Sequence, residues 1–152
     1  MNNKLHSAYL AGLIDGEGYL ALLPSRSKGL KNQSFEPVIK IGMTGQSAYE
    51  IMLKLKEQYA GNIEQRGILT SGGRIVYTIV IKSRKLVSQV ITDIYPYLVV
   101  KKEQATLLLE FCDLPNTHSR YASFDPEVLA RKIAIYTELK NLKKPEPLAQ
   151  TE

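Results

Sequence analysis

The sequence predicts an α+β domain in which helices cover one face of a four-stranded, mostly antiparallel sheet. Three observations predict it. Hydrophobic spacing alternates between helical and strand periods in the order helix, two strands, helix, two strands, then helices. The stretch Thr70-Ser-Gly-Gly73 separates two β-branched runs and reads as a hairpin turn. Finally, 152 residues with 44% hydrophobic and 23% charged side chains suit one domain that buries its own core.

Each element has its own local signals. Ser7 is placed to cap a helix over Ala8–Asp15, with Leu10, Leu13 and Ile14 on one side, and Gly16 and Gly18 to end it. Tyr19–Leu23 reads as a strand, residues 24–34 as a loop, and Phe35–Met43 as a second strand. In that strand Ile39, Ile41 and Met43 share one face, and Lys40 and Gly42 the other. Ser47 with Glu50 forms a capping box for a helix to Tyr59, striped by Ile51, Met52, Leu55 and Tyr59, with Gly61 as its stop. Asn62–Leu69 and Arg74–Lys82 read as strands. Ser83 caps a helix to Ile94, Pro96 marks its end, and Lys101–Asp113 is a further helix. Asp125-Pro-Glu127 starts the last helix, which runs to Leu142. The domain is therefore expected over residues 1–142, with residues 143–152 as a loose tail.

Composition excludes several classes. The chain is not collagenous, coiled-coil or disordered. One cysteine, Cys112, permits no intramolecular disulfide framework. No apolar run reaches membrane-spanning length, and the N-terminus lacks a signal peptide's apolar stretch. An intracellular setting is expected. The net charge of +5 is weak evidence for a polyanionic partner by itself.

Leu10-Ala-Gly-Leu-Ile-Asp-Gly-Glu-Gly18 is the informative segment. Ala8, Gly12 and Gly16 recur every four residues and would form a smooth ridge for a close helix contact. Gly12 costs about 1 kcal/mol of helix propensity relative to Ala, and close packing could offset it. Asp15 and Glu17 sit at the negative end of the helix dipole, unfavourable without a cation. Hard carboxylate oxygens suit Mg²⁺ or Ca²⁺. Spacing alone equally allows solvated acids at a glycine-rich turn. An EF-hand loop from Asp15 fails, because Arg26 would occupy the closing acid position. His6 and His118 lie too far apart in sequence to suggest a histidine metal site. Cys112 reads as a small core residue.

This segment resembles the signature motif of the LAGLIDADG homing endonucleases, with Gly-Glu-Gly where the name has Ala-Asp-Gly. The element order over roughly residues 5 to 113 is similar to that family's αββαββα core, a saddle-shaped sheet followed by further helices. Tyr95-Pro-Tyr-Leu-Val-Val-Lys-Lys-Glu-Gln-Ala105 resembles its stretch before the penultimate helix, where a functional lysine lies. The resemblance implies a catalytic, metal-binding acid at Glu17 and a backbone carbonyl ligand at Gly16. It implies a catalytic basic residue at Lys101, with Lys102 as the competing register. Thr44 or Gln46 would order water. Asp15 would support the helix end. Ala8, Ala11, Gly12 and Asp15 would form a dimer contact. The implied cofactor is Mg²⁺, with Mn²⁺ able to substitute and Ca²⁺ supporting binding without cleavage.

A single motif supplies one essential acid, too few for two strand cuts. The resemblance thus implies a homodimer acting on double-stranded DNA. It would cut a long pseudo-palindromic site across the minor groove, leave short 3′ overhangs, and promote intron mobility. Expected compartments are a chloroplast, a mitochondrion or a prokaryotic cytoplasm. Residues 24–44 carry Arg26, Lys28, Lys31 and Lys40 against Glu36. Residues 62–85 carry Arg66, Arg74, Lys82, Arg84 and Lys85 against Glu64. That places the surplus charge on the strand pairs, suiting a salt-dependent grip on phosphates. Arg26, Lys28, Gln33, Lys40, Gln65, Arg66, Arg74 and Tyr77 are the candidate DNA contacts. The last helix either braces the fold or carries Lys140, Lys143 and Lys144 to the DNA backbone. The alternative function is an intron RNA maturase, or a DNA-binding protein that does not cleave.

Overall fold

The computed structural model describes residues 5–24, 33–60, 63–115 and 125–144. Helix α1 (Ser7–Glu17) leads into strand β1 (Gly18–Pro24), followed by β2 (Phe35–Thr44) and α2 (Gln46–Tyr59). Then come β3 (Ile63–Leu69), β4 (Ile75–Lys82) and α3 (Arg84–Ile94). A 3₁₀ turn over Tyr95–Tyr97 precedes α4 (Lys102–Asp113) and α5 (Pro126–Leu142). The strands form one sheet in the order β1-β2-β4-β3, and every neighbouring pair is antiparallel.

Alternation sorts the strand residues into two faces. Leu20, Leu22, Ile39, Ile41, Ile63, Ile79 and Ile81 point into the main core, where they meet Leu10 and Ile14 of α1 and Leu55 of α2. The same cluster takes in Val87, Val90 and Ile91 of α3, Leu108 and Phe111 of α4, and Ile135 and Leu139 of α5. The other, open face carries Tyr19, Lys40, Glu64, Arg66 and Thr78 around a small cluster of Ala21, Val38 and Val80, with Val76 and the exposed Ile68 in the same register.

Several caps differ from the sequence expectation. His6, not Ser7, caps α1, its Nδ1 accepting from the Ala8 amide at 3.1 Å. The helix passes through Gly16 and ends at Glu17. Gly18 is required there for space, since a Cβ would lie 2.5 Å from the Ile14 carbonyl oxygen. The Ser47–Glu50 capping box does not form: Ser47 lies inside α2, and Gly45, at φ +82°, precedes the first helical residue. Ala60 (φ +47°) takes the left-handed position expected of Gly61, which lies outside the described residues. Ser83 caps α3 as expected, accepting from the Leu86 amide at 3.2 Å, and Asp125 caps α5 through the Glu127 amide at 2.9 Å.

β1 is an edge strand, and such edges need cover. Helix α5 runs beside it. Tyr136 packs on Phe35 with ring centroids 5.1 Å apart, at the end where Phe35 pairs with Pro24. Seven residues later Lys143 lies over the Tyr19 ring. Of the residues expected as a tail, Lys143 is the C-cap of α5. Residues 145–152 lie outside the described residues. Burial pushes the Cys112 thiol up to about 11, the behaviour of an unreactive core side chain.

Candidate active site and nucleic-acid face

The two acids of the motif behave differently although only one residue separates them. Asp15 turns back to the segment entering α4. Its carboxylate accepts from the Val99 amide at 2.8 Å and the Lys101 amide at 3.0 Å. Burial is the largest single influence on this carboxyl and acts to raise it. The amides of Val99, Lys101 and Val100 and the Lys101 charge together outweigh burial and hold it below the usual value. Asp15 thus ties the end of α1 to the segment entering α4.

Lys101 completes the link. Its Nζ donates to the Asp15 backbone carbonyl at 2.6 Å. An ammonium there offsets the negative end of the α1 dipole. Lys102 points elsewhere, its Nζ lying 5.0 Å from the Tyr95 ring centroid. Of the two registers, Lys101 is the one at the motif. Glu17 follows as the exposed last residue of α1. Gly16 beside it is exposed, with nothing within 4 Å of the position a Cβ would take.

Strand register places the rest. Gly18 pairs with Ile41, so Glu17 immediately precedes the first paired residue of β1, and the next row across the other strands is Gly42, Thr78 and Arg66. The neighbouring row is Tyr19, Lys40, Val80 and Glu64. Thr44 ends β2 at the Glu17 end of the sheet, exposed and on the open face. Gln46 is the first residue of α2.

The candidate DNA contacts divide. Lys40 and Arg66 lie on the open face, and Arg74 is exposed in the hairpin turn. Arg66 is paired with Glu64 at 2.8 Å. Gln33 donates from Nε2 to the Ser34 carbonyl at 3.3 Å. Arg26 and Lys28 lie outside the described residues. Gln65 and Tyr77 are corrections. Gln65 pairs with Ile79, and Tyr77 with Met43 and Gly67, all in the register that faces the helices. Both line a pocket of about 280 Å³ with Gly45, Gln46 and Tyr49, on the side away from the open face.

Arg84 also leaves the charged strand region. Its Nη2 donates to the carbonyls of Phe111, Cys112 and Leu114 and closes the C-terminus of α4. Ala11 is a further correction. It is fully buried within the protomer, so it offers no surface to a partner. Gly12 is exposed with open space around it, and Ala8 is part-exposed.

Two features of the site go beyond the residues singled out in the sequence. The Val99 and Lys101 amides that receive Asp15 are backbone groups 84 and 86 residues away. Tyr19 opens the strand expected from the sequence. Its parity with Ala21, opposite Leu20 and Leu22, is the signal that puts it on the open face.

No protein-family model and no curated protein matches the sequence. Solved structures do. The homing endonuclease I-CvuI, in complex with its target in the presence of Ca, matches at a TM-score of 0.72 and 22% identity, over 95% of this chain and 85% of that one. The archaeal intron-encoded homing endonuclease I-Vdi141I, complexed with DNA, matches at 0.66 and 17%, over 95% and 88%. The LAGLIDADG homing endonuclease I-GzeII, in complex with a DNA target, matches at 0.65 and 17%, over 98% of this chain but only 54% of its own. Identities this low speak for architecture, and by that measure the chain has the fold of the LAGLIDADG homing endonucleases.

Proposed function

We propose that the chain is a single-motif member of the LAGLIDADG homing endonucleases that hydrolyses both strands of a long pseudo-palindromic DNA site as a homodimer. It would leave short 3′ overhangs and so promote the mobility of its intron. The observation that carries the proposal is the end of α1. There Asp15 and the Lys101 ammonium tie the motif helix to α4 while Glu17 is left exposed beside the open face. I-CvuI and I-Vdi141I, which share the fold, were crystallised with DNA.

The donor set fits a divalent cation of the Mg²⁺ kind. Among the described residues no group of three or more His, Cys, Asp or Glu could form a closed cage. One carboxylate per protomer is what Mg²⁺ uses when substrate phosphates and water complete its shell. Glu17, with the Gly16 carbonyl, would hold it. Such an ion, once bound, supplies charge neutralisation and an activated water. Lys101 contributes a fixed positive charge toward a phosphate at the same helix end. Thr44 presents a hydroxyl from the neighbouring strand end to order water.

One Glu17 per chain serves one strand, so two cuts need two protomers. The exposed surface of α1 supports a two-fold contact. Gly12 and Gly16 are open. Tyr9 is 53% exposed, and Val99 and Val100 are 82% and 72% exposed. Apolar groups exposed together mark an association surface.

The test is cleavage of a plasmid library carrying candidate intron insertion sites. Discrete Mg²⁺-dependent cuts are expected from the wild type. Glu17→Gln should bind in Ca²⁺ and fail to cut. Undiminished cutting by Glu17→Gln would refute the assignment.

A further inference from the structure

We propose that Lys132 and Arg84 form a binding site for a small monovalent inorganic anion, chloride being the simplest, at the junction of α3, α4 and α5. The pattern of α5 is the starting point. Its buried face runs through Leu129, Lys132, Ile135 and Leu139, so a lysine stands where helical spacing calls for an apolar side chain. Lys132 is 5% exposed, and it is the one polar or charged residue among the buried described residues. Lysine is almost never this buried without a partner.

The protomer supplies none. Among the described residues the Lys132 Nζ makes no hydrogen bond, and the ion pairs lie elsewhere, joining Arg66 to Glu64 and Arg131 to Glu110 and Glu138. Of the acids late in α4, Glu110 is held through both oxygens by Arg131, at 2.6 and 2.8 Å, and Asp113 is exposed. What the Lys132 ammonium meets is the Phe111 ring, 5.4 Å from its centroid. A phenyl face offsets only part of an ammonium's lost hydration. The other charged group at that ring is a second cation, since the Arg84 guanidinium carbon lies 5.9 Å from the same centroid. Burial first, and then the Arg84 charge, push the Lys132 ammonium below its ordinary value.

Arg84 has an unused donor of its own. Its Nη2 is committed to the carbonyls of Phe111, Cys112 and Leu114, but its Nε is buried with no acceptor. The C-terminal end of α4 carries roughly half a unit of negative charge, set against two full positive charges. More than one positive charge is left unanswered in the interior, where a charge persists only when it is paired. A single monovalent anion neutralises most of that excess and gives both donors an acceptor. The narrow opening at Lys132 favours a compact ion over a phosphate ester. Its occupancy ties α5 to α3 and α4, so the stability of the fold responds to the anion itself and not to ionic strength alone. Neither residue belongs to the candidate nuclease site, and the proposal stands apart from that reading.

The experiment follows thermal unfolding of the full-length protein at pH 7 and constant ionic strength while sodium chloride replaces sodium gluconate, whose anion is too large for the site. The wild-type Tm should rise and saturate. With half-saturation near ~10 mM, ~100 mM chloride shifts the folding equilibrium about 11-fold, or roughly 3–6 °C. Lys132→Met should lose the response and stay folded, because an apolar side chain of similar size suits the position. Lys85→Gln, an exposed change in the first turn of α3, should keep it. A wild-type Tm indifferent to chloride overturns the site. So does a response that survives in Lys132→Met, or one lost equally in Lys85→Gln. Bromide in crystals of the wild type gives a reading that needs no variant. Its anomalous scattering is expected within hydrogen-bond distance of Lys132 Nζ and Arg84 Nε, and bromide found only elsewhere, or not at all, overturns the proposal.

Discussion

Replacing Asp15 tests how the motif helix is joined to α4. In the wild type its carboxylate receives two backbone amides at 2.8 and 3.0 Å. A hydrogen bond to a charged group contributes about 1.5–3 kcal/mol. Asp15 is only partly buried, which argues for the lower figure, or about 3 kcal/mol for the pair. Removing a carboxylate from the negative end of a helix returns up to about 1 kcal/mol. Asp15→Ala should therefore cost about 2 kcal/mol. For a domain of this size that is roughly 4–8 °C in Tm. Asp15→Asn keeps one acceptor oxygen and should fall between alanine and wild type. Urea unfolding followed by circular dichroism gives the numbers, and a cleavage assay in Mg²⁺ shows whether displacing the Lys101 backbone slows cutting. An alanine variant within about 0.5 kcal/mol of wild type would be behaving like an ordinary surface change and would refute the reasoning.

Other perturbations separate fold from function. Gly18→Ala would drive a Cβ to 2.5 Å from the Ile14 carbonyl oxygen and 2.8 Å from its Cα, both backbone atoms, and should cost about 3 kcal/mol or more in a urea melt. Gly12→Leu meets nothing within its own chain and should leave protomer stability nearly unchanged, while sedimentation equilibrium should show a weakened dimer. Lys101→Met should retain duplex binding in Ca²⁺ and lose most cleavage in Mg²⁺, since its ammonium is at the motif helix end. The Arg131 guanidinium, through its hydrogen bond, holds the Glu110 carboxyl below its usual value. That contribution is present above the unfolded pKa of about 4.3 and is lost as pH falls through the folded one. Both side chains are about 40% exposed, so it is worth less than about 1 kcal/mol, and Glu110→Gln should flatten the acid limb of the stability curve only slightly.

What the sequence disclosed follows physical range. Hydrophobic period is local, so all four strands, the five helices and the faces of β2 were legible. Ser83 and Asp125 were legible as caps because a short polar side chain reaches its own helix end. The capping box at Ser47 failed because Gly45, at a positive φ, had already turned the chain into α2. As DNA contacts Gln65 and Tyr77 fail because they share the register of Ile79 and Met43, which faces the helices, and parity in a strand is fixed only by knowing which neighbour is buried. Sequence proximity to β4 groups Arg84 with the charges of the sheet. Its guanidinium instead closes a helix whose last carbonyls are 27 to 30 residues away.

Asp15 and Glu17 show why the site was only half legible. From spacing and charge alone both are carboxylates at an unfavourable helix end, and only the family resemblance assigns them different roles. The fold supplies the difference. Asp15 receives amides and an ammonium from a segment far along the chain, which settles its charge within the protomer. Glu17 is the exposed last residue of α1, where Gly18 takes the backbone into β1. Its charge is therefore left to be answered from outside the chain. The ammonium of Lys101 lies at the same helix end, on the Asp15 carbonyl. An exposed acid at a helix end that also holds an ammonium suits a ligand that is itself an anion and brings its own cation. Phosphate and Mg²⁺ together meet that description, whereas either alone would leave one set of charges unmatched.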